Sequence, residues 1–102
     1  MDFLVRPAAT FEIGEAFAFY EMERAGLGVE FFSCLEVGFA RLRRNPFLHP
    51  VYLGKVRKTY LRRFPFSIFY IAENDLISVV AVYHSSRDPY VLRERIKKEP
   101  LP

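Results

Sequence analysis

Two runs in the second half of the chain, Ser67-Ile-Phe-Tyr-Ile-Ala72 and Ile77-Ser-Val-Val-Ala-Val82, are apolar at both odd and even positions. A strand with no polar face cannot lie against water. Both runs must therefore be central strands of a sheet that is covered on its two sides. Asn74-Asp75 separates them, and such a pair suits a two-residue turn, which makes the strands antiparallel neighbours in a tight hairpin.

The rest of the chain has to supply the cover. Phe3, Leu4 and Val5 within Asp2–Arg6 predict a first strand, and Pro7 opens a helix. Ala9, Ile13, Ala16, Phe17 and Tyr20 recur at helical spacing, with Glu12, Glu15, Glu23 and Arg24 expected mostly on the opposite, solvated face. Gly26 is the left-handed cap that ends it. A second helix repeats Phe32, Leu35, Phe39 and Leu42, gathers Arg41, Arg43 and Arg44 in its last turn, and stops at Asn45-Pro46. The short linker makes the two helices an antiparallel hairpin.

Residues 46–55, with Pro46, Pro50 and Gly54, read as a connecting loop. Val56–Arg63 then predicts a strand, Pro65 a break, Phe66–Glu73 and Leu76–Tyr83 the central hairpin, and Pro89 the start of a short helix through Lys98. Pro100 and Pro102 end the chain. The order β-α-α-β-β-β-α describes an α+β domain over residues 1–102. It has an N-terminal strand, an antiparallel helical hairpin packed on a mainly antiparallel twisted sheet, and a short C-terminal helix.

A chain of 102 residues that is 51% apolar is suited to one packed domain rather than disorder. No apolar run approaches the roughly 20 residues that span a bilayer. Asp2 and Arg6 interrupt the N-terminus before a secretory core develops. Cys34 is the sole cysteine, so no internal disulfide forms. These features together predict a cytoplasmic single domain.

Charge is segregated along the chain. Residues 1–40 carry a net −5, residues 41–70 carry eight bases and no acid, and the remainder is neutral, leaving +3 overall. A thirty-residue stretch without a carboxylate creates a field that attracts phosphate or an acidic partner, unless it is only a solvated face. Candidate chemistry is sparse. His49 and His84 have no second ligand at metal spacing, so neither a metal nor a cofactor is expected. Cys34 sits among Phe31, Phe32 and Leu35 as a small core residue. The acid pairs Glu12/Glu15 and Glu21/Glu23 read as solvated, and no phosphate-binding glycine motif occurs. No catalytic residue is assigned.

Two segments stand apart. Lys55-Val-Arg-Lys-Thr-Tyr-Leu-Arg-Arg63 interleaves bases with Tyr60 and Leu61. His84-Ser-Ser-Arg87-Asp88-Pro89 joins a buried strand to a helix, with Asp88 placed to cap that helix and Arg87 able to pair with a carboxylate or to face an anion.

Pro7-Ala-Ala, Glu12-Ile13, Gly26-Leu-Gly28 with Phe31 and Leu35, and Pro46 follow one another in an order that carries a resemblance. Arg62-Arg-Phe-Pro-Phe-Ser-Ile-Phe-Tyr70 and Ala81-Val-Tyr-His-Ser-Ser-Arg-Asp-Pro89 extend it. The chain resembles the ParE branch of the RelE/ParE toxins of bacterial type II toxin–antitoxin (plasmid stabilisation) modules, from about Phe3 to Ile96. The resemblance implies a toxin that inhibits DNA gyrase. It also implies neutralisation by a ParD-like antitoxin within a hetero-oligomer, with operator DNA reached only through that antitoxin and no membrane involved.

The alternative within the resemblance is a ribosome-dependent mRNA endoribonuclease of RelE type. Its strand bases match Lys58, Tyr60 and Ser67 here, so only Lys58 keeps the charge. Its pre-helix arginine matches Arg87, and its late tyrosine falls near Arg93, with Tyr90 too early. That departure favours the gyrase branch. Lys58, Arg62, Arg63, Arg87 and Arg93 are the expected target- or antitoxin-binding residues. A nucleic-acid-binding domain using the same basic strand is the third reading.

Overall fold

The computed structural model describes residues 1–98, so Pro100 and Pro102 lie outside the described residues. Its centre is the expected hairpin: β4 (Phe66–Glu73) and β5 (Leu76–His84) pair antiparallel through a turn at Asn74 and Asp75. Both turn residues take positive φ, 54° and 59°, which matches the right-handed twist of the flanking strands. β5 carries one extra residue opposite Tyr70, a bulge that leaves Val79 and Val80 both buried, each in a different core cluster.

β1 (Asp2–Val5) lies parallel to β5 on one side, and β3 (Val56–Tyr60) lies antiparallel to β4 on the other. A further strand, β2 (Val51–Leu53), pairs antiparallel with β3, so the sheet order is β1-β5-β4-β3-β2. Residues 46–55 are thus not loop throughout: three of them form an edge strand between Pro50 and the left-handed Gly54. β3 also stops at Tyr60 rather than running to Arg63, because Leu61 and Phe64 turn inward and the chain bends before β4.

Helices α1 (Pro7–Glu23) and α2 (Leu27–Arg44) cover one face of the sheet, and α3 (Pro89–Lys98) covers part of the other. The hairpin side holds Ala9, Phe31, Leu35 and Leu42 against Ile68, Tyr70, Ile77 and Val79. The buried row of α2 is Gly28, Phe31, Leu35, Gly38 and Leu42, so Phe31 takes the core position expected of Phe32, which is 43% exposed. At Gly28 an added Cβ would lie 2.7 Å from the Phe17 carbonyl oxygen, which sets how closely the helices approach. The Glu21 carboxylate accepts the N–H groups of Gly26, Gly28 and Val29 and so caps α2, which has no cap of its own. Those donors, Gly26 first, hold the Glu21 carboxyl below its ordinary value.

Candidate functional site

The alternation of β3 sorts the basic strand. Thr59 accepts a hydrogen bond from Arg41 on α2, and the Arg57 guanidinium lies over Phe47 and donates to the carbonyls of Phe47 and His49. Lys58 emerges on the other face, the face of α3. There its ammonium lies 4.8 Å from the ring centre of Tyr60, 5.4 Å from that of Tyr52 and 5.6 Å from that of Phe69. Leu92 and Ile96 bring α3 down over Ala81, Tyr83 and Phe69 but leave the end of the sheet beside Lys58 uncovered. A cleft of about 140 Å³ opens there, lined by Lys58, Arg87, His84 and the rings of Tyr52, Tyr60 and Tyr83 among others.

Each wall is fixed by a local contact. The Tyr83 hydroxyl donates to the Asp88 carbonyl at 2.7 Å, and the Arg87 guanidinium stacks on the Tyr83 ring at 4.4 Å. Asp88 accepts the Tyr90 N–H at 2.9 Å, the helix cap expected of it. His84 Nδ1 accepts the Ser86 N–H at 2.9 Å, which puts the proton of the neutral ring on Nε2. Among the described residues no carboxylate lines the cleft; Arg87 meets the Glu12 carboxylate only behind it, at 3.5 Å. Its volume is below the roughly 300–1,000 Å³ of small-molecule sites. It can receive a phosphate group or an inserted side chain, held by cations and flanked by rings.

Arg87 is anchored from behind by a residue the sequence placed in solvent. Glu12 is only 7% exposed, and the reason lies in the sheet. β1 ends opposite Val79, so the edge of β5 beyond it has no neighbouring strand. Glu12 from α1 accepts the Val82 N–H at 3.0 Å, and Arg95 from α3 donates to the Val80 carbonyl at 2.7 Å. The two side chains then pair with each other at 2.9 and 3.3 Å, while Arg87 stands 3.5 Å from the same carboxylate. The ion pair replaces the missing strand and satisfies backbone groups that would otherwise be orphaned.

The remaining expected residues lie elsewhere. Arg62 and Arg63 occupy the bend after β3, on the hairpin side, where they rim a groove of about 400 Å³ with Val29, Cys34, Val37 and Arg41. Arg63 sits at φ 70°, an uncommon backbone for arginine, and reaches Glu30 at 2.7 Å. That hydrogen bond, with a second from Arg24, holds the Glu30 carboxyl below its ordinary value. Arg93 is exposed on α3 and lines neither cavity. The structure therefore brings Lys58 and Arg87 together, and Arg62 with Arg63, but does not unite the five.

Half of the basic stretch is used internally. Arg41 donates to the Tyr60 carbonyl and to Thr59, Arg57 to two loop carbonyls, Lys55 pairs with Glu73 and Arg63 with Glu30. Sequence reasoning missed Tyr52, Glu12 and Arg95, and only the motif around His84 signalled that residue. Among the described residues no group of three His, Cys, Asp or Glu is placed to hold a metal ion. Burial, together with Arg41 and Arg57, pushes His49 below its ordinary value and keeps it neutral. Among the described residues no helix is long and apolar enough to cross a membrane.

No protein-family model matches the chain, and no curated protein matches it. Solved structures do. A chain of the chromosomal ParDE TA system from P. aeruginosa superposes with a TM-score of 0.74 at 15% identity, over 82% of this chain and 95% of that one. The isolated E. coli RelE toxin superposes with a TM-score of 0.57 at 16% identity, over 95% of this chain and 96% of that one. The chain has the fold shared by these two proteins, as the sequence resemblance implied.

Proposed function

We propose that this chain, which has the RelE/ParE fold, is the toxin of a type II toxin–antitoxin module, neutralised by a ParD-like antitoxin and directed at DNA gyrase in the cytoplasm. The ParDE likeness supports the module and the kind of partner. The observation that carries the binding role is the chemistry of the sheet-face cleft. It presents two cations and three tyrosine rings, but no carboxylate among the described residues, and the Nδ1 of its one histidine is occupied by the Ser86 N–H. Such a surface holds an anionic or phosphorylated partner and lacks a ready general base. The antitoxin contact suits the basic groove of Arg41, Arg62 and Arg63, which an acidic, apolar segment complements.

The test is supercoiling and DNA cleavage by purified gyrase with and without the chain. Inhibition with trapped cleavage, relieved by the antitoxin, is the expected result. A second reading, ribosome-dependent mRNA cleavage, is favoured by Lys58 and Arg87 sharing one cleft. It predicts transcripts cut in the ribosomal A site and loss of cutting in Arg87→Ala, with gyrase unaffected.

A further inference from the structure

The helical hairpin presents two exposed apolar surfaces of opposite charge. On α1, Phe11, Glu15, Phe19 and Met22 recur at four, four and three residues. Phe11 is 63% exposed, Phe19 59% and Met22 89%, so this stripe touches little of its own chain. Its charge is the Glu15 carboxylate, exposed and without an ion pair among the described residues. On α2, Val29 and Val37, each 57% exposed, line the groove whose rim carries Arg41, Arg62 and Arg63. The groove's own acid, Glu30, is already matched by Arg24 and Arg63. Arg62 is exposed and unpaired among the described residues. An apolar helical strip that carries a carboxylate is what the groove fits, and the exposed strip of α1 is one.

The two surfaces cannot meet within one molecule. Val37 lies nine residues, and hence half a turn, round α2 from Gly28, the point where α2 touches α1. Phe19 likewise lies on the opposite side of α1 from Phe17, whose carbonyl abuts Gly28. Stripe and groove therefore face away from one another.

We propose that a second copy of this chain occupies the groove, its α1 stripe seated along Val29 and Val37 with Glu15 turned to the arginine rim. The contact is head to tail, and it builds open chains or rings rather than a two-fold pair. A few exposed side chains bury less than the roughly 1,600 Å² of a standard interface, so assembly depends on concentration. The groove is the one proposed above for the antitoxin contact, so the second copy and the antitoxin would exclude one another there, while self-association itself requires no toxin activity.

The test is sedimentation of the intact chain across a concentration series, with Glu15→Arg and Arg62→Glu. Both residues are exposed and unpaired, so the variants fold, which circular dichroism checks. Wild type should gain mass with concentration, and each variant alone should stay single. An equal mixture of the two should associate again, because every stripe then meets a groove of opposite charge. Failure of the mixture to recover overturns the proposal, as does a plateau at two chains. A chain that stays single at every concentration, yet binds a synthetic acidic amphipathic peptide through Arg62, assigns the groove to another protein and also overturns it.

Discussion

Replacing Glu12 tests whether an ion pair closes the open edge of β5. Glu12→Ala removes three things at once: the partner of Arg95, the second contact of Arg87 and the acceptor of the Val82 N–H. Breaking a buried ion pair from one side costs about 3–5 kcal/mol. Arg95 keeps 29% of its side chain in water, which argues for the lower end of that range. Leaving the Val82 N–H without an acceptor adds about 1–3 kcal/mol, part of it already counted in the pair. A loss of about 4 kcal/mol is expected, from a total of roughly 5–15 kcal/mol for a domain of this size. Glu12→Gln keeps an oxygen for Val82 and should lose only about 1–2 kcal/mol, the charge-assisted share.

The decisive variant is the double one, Glu12→Leu with Arg95→Met. An isolated buried ion pair can be replaced by apolar residues at no cost, or with a gain of about 1–4 kcal/mol. Here the Val82 N–H and the Val80 carbonyl would both lose their partners, so the double variant should remain less stable than wild type by about 1–3 kcal/mol for each group. Urea unfolding followed by far-ultraviolet circular dichroism reads all three, since the chain has no tryptophan. A Glu12→Gln midpoint equal to wild type, or a double variant as stable as wild type, would refute the edge-sealing role.

Acid should weaken the fold through Glu21 and Glu30, whose carboxyls both lie below the ordinary value of 4.5. Folded carboxyls held low stabilise at neutral pH and lose that contribution as pH falls through 4.5 toward their folded values, so the urea midpoint should drop over about pH 5 to 3. Glu21→Gln should flatten that drop; an unchanged profile would remove Glu21 from the cap. Gly28→Ala should destabilise by about 1–3 kcal/mol, because its Cβ meets the Phe17 carbonyl; an unchanged urea midpoint would contradict the close helix approach. Arg87→Ala should cost about 1 kcal/mol, through the lost stacking on Tyr83 and the long contact with Glu12, since Arg95 still holds Glu12, yet abolish target inhibition; retained inhibition by the folded variant would remove the cleft from the contact.

The sequence reveals what local chemistry decides. Asn74-Asp75, Pro89 with Asp88, and the two-sided apolar runs appear in the structure where their chemistry puts them. β2 was hidden because a three-residue strand between Pro50 and Gly54 has too short a period to detect and is held by β3 alone. Glu12 was misplaced because nothing local marks it: its burial follows from β1 ending opposite Val79, a property of the whole sheet. The same limit separated Arg93 from Arg95. Two residues apart, they fall on opposing sides of α3, and only the packing of Leu92 and Ile96 decides which one reaches β5. For the candidate site, the bases themselves were legible, but bases occupy both parities of β3. Only the structure separates Lys58 from Arg57.

The most direct test of the toxin reading is gyrase supercoiling in the presence of the purified chain, with the antitoxin added back. The expected result is loss of supercoiling with DNA held in a cleaved complex, restored by the antitoxin and absent for Arg87→Ala. Unimpaired supercoiling at saturating chain, alongside transcripts cut within ribosomes, would contradict it.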